Sequence, residues 1–523
     1  MQLFAPVPRQ RSAVVPDEAH AAARRARAAV PSDGRLLPVV DERVLDVFAR
    51  AKDPGDPMEL RDLWLGRVEH ELGAASHRPW LADRWRSAAP RQQLTPEEVL
   101  GSRATVRFVK ELFNWYFRDD LYGDLAAPDT VLLSSGSVDE QEWGLPESLK
   151  DCLRFALDQD WYGYSDSRGR VPAREAVAAY ENERIEGSPY TVDEIALTMG
   201  GTFAVSSLAD FILHGGGATD QPVLCGIPNY PPLVESVARR RPVRLVPLPS
   251  ADGRMSLEPL IAALTPATPL VLIQTVGNPT GAAVDEEELG RLIEAAGPGT
   301  MILLDECHEW LGPVRRAGAR RAAPNVIRVS SLSKAWSAPG LKVGWITADA
   351  GFIADYYEYA STTFGGPPSF LYTLVEVLAR MERWLLCGRE EVGPAELAEF
   401  EATYPMDAGL LNATYVAYRA DRINRERGLS TLRDGATAVF SEAAAIVHPA
   451  HYSINLAIEF PGWDDSYRCF RDLLRDTGVS VFPGILTFCL SGGVGRVTTA
   501  RRWSDLAGAA ERVGRRLAAG PAS

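Results

Sequence analysis

Paired cysteines, clustered histidines and long apolar runs are missing from this sequence, and each absence excludes a class of protein or site. The six cysteines include no CxxC pair and the seven histidines are dispersed, so we expect reduced, structural thiols and no metal centre. No apolar run approaches the roughly 20 residues that span a bilayer. The first thirty residues hold charges of both signs and no apolar signal segment, so we predict a cytoplasmic protein without a secretory signal.

Positive charge is also in short supply. The 55 basic residues are outnumbered by 69 acidic ones, and the resulting net charge of −14 argues against nucleic acid as a partner. Only five of the basic residues are lysines, at positions 52, 110, 150, 334 and 342, and the rest are arginines. Each lysine is therefore a candidate for a role that arginine cannot fill.

Seven short apolar runs, separated by helical or loop segments, dominate the centre of the chain. Continuous apolar strands that alternate with helices are typical of a mostly parallel sheet covered on both faces, so we predict an α/β fold with a three-layer large domain. The runs cover residues 195–199, 222–225, 243–248, 270–275, 301–304, 326–329 and 343–347.

The flanking segments have a different texture, which suggests four regions. We expect a mobile arm over residues 1–35 and a helical N-terminal extension over 36–125, where an aromatic-rich stripe at 106–117 has helical spacing. Residues 161–365 would form the large domain. Residues 126–160 and 366–523 would form a smaller α+β domain, with helices near 406–426 and 503–518.

Residues with distinct chemistry follow several of the apolar runs. The carboxyl ends of parallel strands meet at one edge of a sheet, where ligands bind, so we expect these residues to surround one ligand. An amine can form a Schiff base, a carboxylate can pair with a ring cation, a helix N-terminus can hold a phosphate and an aromatic ring can stack. The residues are Gly200, Gly201, Thr202, Tyr230, Asn278, Asp305, His308, Ser331, Ser333, Lys334 and Lys342. Together they offer the groups that pyridoxal 5′-phosphate requires.

The order of these segments resembles that of the fold-type I pyridoxal phosphate enzymes, specifically the class I/II aminotransferase family that includes aspartate aminotransferases and ACC synthases. The resemblance runs from about Leu132 to Val513. It is carried by YGYSDSRG at 162–169, GGT at 200–202, NPTG at 278–281, DECH at 305–308 and SLSKAWSAPGLKVGW at 331–345.

The resemblance implies roles for the catalytic residues. Lys334 would hold the cofactor covalently and then carry the proton at the substrate Cα, while Asp305 would pair with the pyridinium nitrogen. Asn278 would donate a hydrogen bond to the cofactor phenolate, and Tyr230 would stack on the ring. Arg496 would bind the substrate α-carboxylate in a two-pronged contact, near the backbone of Gly136.

The resemblance also implies a phosphate cup and a dimer. Gly200, Gly201 and Thr202 would hold the phosphate at a helix N-terminus. The cup would be completed by Ser331, Ser333 and Lys342. Tyr164 matches a tyrosine that reaches the partner subunit's phosphate, so we expect a homodimer.

Three features depart from the family pattern. His308 stands where the family usually has tyrosine, and an imidazole there either keeps the same hydrogen bond or adds a local acid or base. Lys342 stands where the family usually has arginine, and an ammonium lacks the forked geometry. The extension of 100 to 125 residues is the third feature, and its role is open between covering the active-site mouth, extending the dimer interface and binding a large second substrate.

Three functions compete. The first is transamination of an α-amino acid through an external aldimine and a quinonoid. The alternative is β- or γ-elimination or replacement, including carbon–carbon bond formation in a natural-product pathway, with S-adenosylmethionine as one substrate option. A cofactor-binding DNA regulator is disfavoured because the extension has no basic recognition helix. We therefore predict an aminotransferase-like enzyme that acts on an α-amino acid as its small-molecule substrate, without nucleic acid or a membrane as partner.

Overall fold

Twenty α-helices and sixteen strands make up the parts of the chain that the structure describes. The structure is a computed structural model that describes residues 2–11, 13–28, 35–187, 190–214, 221–312, 316–401, 404–443 and 445–519. The α-helices are α1 Asp17–Ala28, α2 Glu42–Arg50, α3 Pro57–Leu72, α4 Pro79–Ser87, α5 Pro96–Gly101, α6 Arg103–Trp115, α7 Glu140–Trp143, α8 Glu147–Asp158, α9 Val171–Arg184, α10 Gly201–Leu213, α11 Pro231–Ala238, α12 Glu258–Ala263, α13 Glu286–Ala296, α14 Leu332–Ala335, α15 Ala350–Thr363, α16 Tyr372–Leu386, α17 Pro394–Leu397, α18 Ala408–Glu442, α19 Ser466–Thr477 and α20 Trp503–Ala518.

The strands form four sheets, and shorter helical turns connect some of them. The strands are β1 Val131–Leu132, β2 Ile195–Thr198, β3 Val223–Ile227, β4 Val243–Pro247, β5 Ser250–Ala251, β6 Arg254–Met255, β7 Leu270–Gln274, β8 Ala283–Val284, β9 Met301–Asp305, β10 Val326–Ser331, β11 Gly344–Thr347, β12 Ile446–Val447, β13 Asn455–Glu459, β14 Val479–Ser480, β15 Phe482–Pro483 and β16 Val494–Thr498. A π-helix spans Tyr116–Asp124, and 3-10 helices span Gly73–Ala75, Val192–Glu194, Ala319–Ala322, Ser369–Leu371 and Gly484–Thr487.

The seven predicted apolar runs form one sheet, which confirms the α/β fold class. The strand order is β2-β11-β10-β9-β7-β3-β4, and every pair that excludes β11 is parallel. Central strands such as β3, β7 and β10 are buried at every position because helices cover both faces. Gln274 pairs with Asp305, which in turn pairs with Val329, so the carboxyl ends of β7, β9 and β10 lie at one edge.

A second, smaller sheet gathers strands from the C-terminal part of the chain. It has the order β12-β13-β16-β15 and all its pairs are antiparallel. Helix α18 runs to Glu442, well past the end predicted near residue 426, whereas α20 has the predicted bounds. The boundaries predicted between the large and small domains remain a prediction.

The N-terminal residues differ from the expected mobile arm. Helix α1 packs along α18, and Leu3 and Phe4 are buried. Small residues on both helices allow this close packing. A Cβ added to Gly435 of α18 would lie only 3.2 Å from the carbonyl oxygen of Ala19 on α1. Because alanine is only weakly apolar, the sequence of α1 shows little of the helical periodicity that larger apolar residues would produce. Residues 1, 12 and 29–34 of the predicted arm lie outside the described residues.

Residues 36–125, for which a helical extension was predicted, contain α2 to α6 and the π-helix that continues α6. Its core includes Phe48, Trp64 and Phe108, whose rings meet edge to face at 6.0 to 6.2 Å. The extension packs on the large domain, since α6 contacts α11, the helix that follows Tyr230. None of the helices in the described part of the chain combines the length and apolarity that a membrane crossing needs.

Candidate active site

A cavity of about 290 Å³ lies at the carboxyl edge of the large sheet, and residues of α6, the π-helix, β15 and β16 also line it. The structure brings most of the predicted site residues to its walls. They are Gly136, Gly201, Thr202, Tyr230, Asn278, Asp305, His308, Ser331, Ser333, Lys334, Lys342 and Arg496. Gly200 adjoins them as the residue before α10, with a φ of +79° that favours glycine.

Lys334 lies on α14, the short helix that follows β10. Its Nζ donates a hydrogen bond to the carbonyl oxygen of Gly136 at 2.6 Å. Burial, followed by the nearby Arg496 guanidinium, lowers the pKa of Lys334 from 10.5 to about 8. About a tenth of this amine is therefore neutral and nucleophilic at pH 7, far more than for an ordinary lysine.

Asp305 ends β9 and is 5% exposed. Its Oδ2 accepts a hydrogen bond from Gln274 Nε2 at 2.9 Å, and its Oδ1 accepts one from the backbone N–H of Cys307 at 3.1 Å. Both bonds hold the carboxylate at the floor of the cavity. Gln274 also lines the cavity. It was not predicted as a site residue, although it ends β7 and the nearby Asn278, which follows this strand, was.

Arg496 on β16 is held in place before any substrate arrives. Its Nη1 donates to Asn278 Oδ1 at 3.0 Å and its Nη2 donates to the carbonyl oxygen of Ser134 at 2.8 Å. Its Nε is buried and has no hydrogen-bond partner among the described residues. Burial lowers its pKa to about 10. Gly136 is required beside it, because a Cβ there would lie 2.6 Å from Arg496 Nη2.

Small and hydroxylated residues gather at the other end of the cavity. The N-terminus of the 13-residue helix α10 faces this end through Gly201 and Thr202. Ser331 Oγ lies 2.8 Å from Ser333 Oγ, and Lys342 lines the same cavity while its side chain remains exposed. Free amides at a helix N-terminus, hydroxyls and an ammonium together suit a phosphate group.

His308 lies in the cavity wall with its imidazole fixed from behind. Its Nδ1 is 2.8 Å from Ser453 Oγ, on the small domain. Burial, followed by the charges of Lys334 and Arg496, lowers the pKa of His308 to about 3. The imidazole is therefore neutral across the physiological range, and it does not serve as a cation beside the two basic groups.

Tyr164 lies outside the cavity, away from the other predicted site residues. Its side chain is fully exposed, as is most of Tyr162 two residues before it. Tyr230, by contrast, lines the cavity, and burial raises the pKa of its hydroxyl.

Three phenylalanines in the wall were not predicted as site residues. Phe113 of α6 and Phe117 of the π-helix come from the extension, and Phe482 comes from β15. The sequence signal was present, since Phe113 and Phe117 belong to the aromatic stripe at 106–117, but the spacing predicted only a packed helix. Leu233, Ser135, Cys307 and Pro339 complete the wall.

The residues of the cavity fit pyridoxal phosphate. The hydroxyls, the helix N-terminus and Lys342 offer donors and positive charge for a phosphate, while Asp305 offers negative charge for a protonated ring nitrogen. Glycine at position 201 lets the start of α10 lie close to the strand ends, because a Cβ there would be 2.6 Å from Cys307 Sγ. Lys334 supplies the amine between the two ends.

The chain is also similar to known proteins in its amino-acid sequence. The family model described as aminotransferase class I and II matches residues 128–511. The chain is similar to a Mycobacterium tuberculosis valine–pyruvate aminotransferase, with 26% identity over 395 residues that cover 74% of this chain and 90% of that protein. It is also 26% identical to an aromatic amino acid aminotransferase of Mycobacterium sp. (strain JLS) over 270 residues, 49% of this chain and 72% of the relative.

Solved structures agree on the fold. Thermus thermophilus aspartate aminotransferase with maleate superposes with a TM-score of 0.61 at 22% identity, over 81% of this chain and 100% of that one. N-succinyldiaminopimelate aminotransferase from Mycobacterium tuberculosis gives a TM-score of 0.59 at 23% identity, over 74% and 93%. The matched family segment begins after the extension. The chain therefore belongs to the aminotransferase class I and II family and is a pyridoxal-phosphate-dependent transferase.

Proposed function

We propose that the protein moves the amino group of an α-amino acid to an α-keto acid, with Lys334 as the cofactor-binding amine and proton carrier. The observation that carries this assignment is the state of Lys334. Its amine has a pKa of about 8, is bonded to the carbonyl oxygen of Gly136, and shares one cavity with Asp305 and Arg496.

Each charged group has a separate task in this proposal. Pyridoxal phosphate, when bound, supplies a ring that accepts the electron pair left when the substrate Cα loses its proton. Lys334 Nζ takes that proton and returns it one step later, as its near-neutral pKa allows. Asp305, oriented by Gln274, holds a proton on the ring nitrogen. Arg496 binds the α-carboxylate and so places Cα beside Lys334.

The remaining predicted residues would hold the cofactor. Thr202, Ser331, Ser333 and Lys342 bind the phosphate with the amides at Gly200 and Gly201. Asn278 accepts from Arg496 through its oxygen, and its Nδ2 group would donate to the cofactor phenolate. His308, neutral and bonded to Ser453 through Nδ1, would bond the same oxygen through Nε2 in place of a tyrosine hydroxyl.

We propose further that the working unit is a homodimer in the cytoplasm. The exposure of Tyr162 and Tyr164 supports a dimer, because two neighbouring exposed tyrosines are typical of a surface that a partner covers. In the dimer, Tyr164 would bind the phosphate held by the partner subunit. Six free cysteines, most of them shielded from solvent, support a reducing compartment.

The test combines a chemical and a catalytic readout. Borohydride reduction of the holoenzyme, followed by peptide mass spectrometry, should find the cofactor on the peptide that contains Lys334. Lys334→Ala should lose both this adduct and amino transfer to keto acids, whereas Lys150→Ala, which removes a surface ion pair with Glu147, should keep both. A fully active Lys334→Ala protein, or an adduct on another lysine, would contradict the assignment.

A further inference from the structure

The extension supplies an aromatic wall to the cavity. Phe113, the last residue but two of α6, contacts Tyr230 with ring centres 5.8 Å apart and Phe482 with ring centres 6.0 Å apart. Phe117 contacts Phe113 at 5.0 Å and Phe482 at 5.9 Å. Both Phe113 and Phe117 keep part of their surface exposed, and that surface lines the cavity. The aromatic wall is defined here as Phe113, Phe117, Tyr230 and Phe482.

A change of helix type follows Phe113. The α-helix gives way to a π-helix at Tyr116, and π-helical turns occur frequently at functional sites. The wider turn brings Tyr122 over Phe117, with ring centres 6.1 Å apart and planes only 20° from parallel. Tyr122 is 60% exposed, so a row of three rings runs from the cavity to the solvent.

The aromatic wall is anchored from behind, which distinguishes it from a loose lid. Tyr116 donates its hydroxyl hydrogen bond to the carbonyl oxygen of Val481 at 3.2 Å, next to Phe482. The buried carboxylate of Asp120 accepts from Arg78 of the extension and from the hydroxyl of Tyr467 at 2.8 Å. A buried carboxylate with several charge-assisted bonds holds its helix in one position.

Charge is distributed unevenly around the cavity. None of the four rings carries a charge, and the cation of the cavity lining that lies beside them is Arg496, which is proposed to bind the substrate α-carboxylate. Lys110 lies 5.1 Å from the Phe113 ring centre, but it bonds Asn114 and does not line the cavity. A second carboxylate, on a substrate side chain, would therefore lose its hydration at Phe113 and Phe117 while Arg496 is already engaged by the α-carboxylate.

The aromatic wall and the carboxylate-binding arginine are directly joined. The guanidinium carbon of Arg496 lies 4.1 Å from the Phe482 ring centre. A ligand whose carboxylate binds Arg496 would therefore lie beside the aromatic wall. Aromatic side chains pack favourably against such rings in edge-to-face or offset-stacked arrangements.

We propose that the extension supplies the substrate side-chain pocket, and that Phe113 and Phe117 select α-amino acids with an aromatic side chain. The inference rests on the proposed function. It assigns the role of the extension that the sequence left open, since this segment lies before the matched family region.

Binding of an unreactive probe tests the pocket apart from catalysis. The holoenzyme should bind 3-phenylpropanoate, which has the carboxylate and the ring but no amine, at least about tenfold more tightly than propanoate, as burial of a phenyl group predicts. Phe113→Ala and Phe117→Ala should each reduce this ratio severalfold, up to about tenfold. Phe113→Leu keeps an apolar side chain, so its binding ratio should lie between those of the unchanged protein and Phe113→Ala. This variant still tests the pocket if an alanine variant fails to fold.

The control and the contrary outcomes are distinct. Trp80→Ala removes an exposed aromatic side chain of the same extension and should leave the ratio unchanged. Equal binding of the two probes, or equal weakening of both in Phe113→Ala, would overturn the pocket. Single-turnover reactions with phenylalanine, alanine and aspartate then separate the two proposals. If the binding ratio holds but no amino acid transfers its amino group, the proposed function fails and the pocket stands; if all three react alike and the ratio is absent, the pocket fails and the function stands.

Discussion

Arg496→Lys is the sharpest perturbation of the proposed substrate site. The change keeps a positive charge near Lys334, so the second cause of that residue's lowered pKa is retained. It removes the fork whose two terminal nitrogens are held by Asn278 and the carbonyl of Ser134. The variant therefore isolates the geometry of carboxylate binding from its charge.

The expected magnitude follows from the number of bonds lost. A hydrogen bond to a charged group contributes about 1.5–3 kcal/mol, and an ammonium in place of the fork loses one of two such bonds to the α-carboxylate. The value of kcat/KM for an amino acid should fall about 10- to 150-fold. The buried position makes the upper part of this range the expectation, because water does not replace the lost bond.

Paired substrates make the assay specific. Stopped-flow absorbance of the holoenzyme would follow single turnovers of phenylalanine and of 2-phenylethylamine, which differ by the carboxylate alone. Arg496→Lys should slow the amino acid and leave the amine nearly unchanged. An equal loss for both would refute the assignment, since it would mean that Arg496 acts on the cofactor or on the fold rather than on the carboxylate.

Four further predictions concern proton-bearing groups. The rate at which cofactor-free protein takes up pyridoxal phosphate should rise about tenfold per pH unit and level off above the Lys334 pKa of about 8, because only the neutral amine attacks; absorbance after mixing would show this. As the pH falls below 6.5, His308 becomes protonated in the unfolded chain, whereas in the folded chain it stays neutral until about pH 3. The free energy of unfolding should therefore decrease by about 1.4 kcal/mol for each pH unit that the pH is lowered within this window. In His308→Gln, the melting temperature should decrease less than in the unchanged protein when the pH is lowered from about 7 to about 5. Ser453→Ala should shift the pH dependence of the holoenzyme's visible spectrum, whereas a purely structural role would change only its melting temperature. Asp305→Asn should lower the turnover rate about 100-fold or more while cofactor affinity, measured by titration, changes far less.

The large sheet could be predicted from the sequence because its strands are buried on both faces. A run such as 270–275 must be apolar throughout, so its position and its neighbours follow from the pattern. Helix α1 shows where this reasoning fails. Its buried face is made of Ala19, Ala22 and Ala23, whose small side chains give a weak apolar period although they allow the closest packing.

The site was predictable to the extent that its chemistry sits at strand ends. Lys334, Asp305 and Asn278 follow strands that meet at one edge, so the sequence alone predicted their convergence. Gln274 and Ser453 were missed for a different reason. Gln274 hydrogen-bonds Asp305, and Ser453 hydrogen-bonds His308. A side chain that only orients another residue belongs to no sequence motif with a characteristic spacing, so the sequence does not indicate it.

The extension illustrates the limit of periodicity most clearly. Val109, Leu112 and Phe113 share one helical face, yet the first two are fully buried in the core while the third lines the cavity. Apolar residues at helical spacing predict that one face of a helix is shielded from water. They do not indicate whether the protein core or a ligand shields it, because both contacts require the same apolar residues. Only the folded chain, with Phe482 and Arg496 brought opposite α6, distinguishes the two. An aromatic stripe outside a family's matched region is therefore best tested as a binding wall before it is accepted as scaffold.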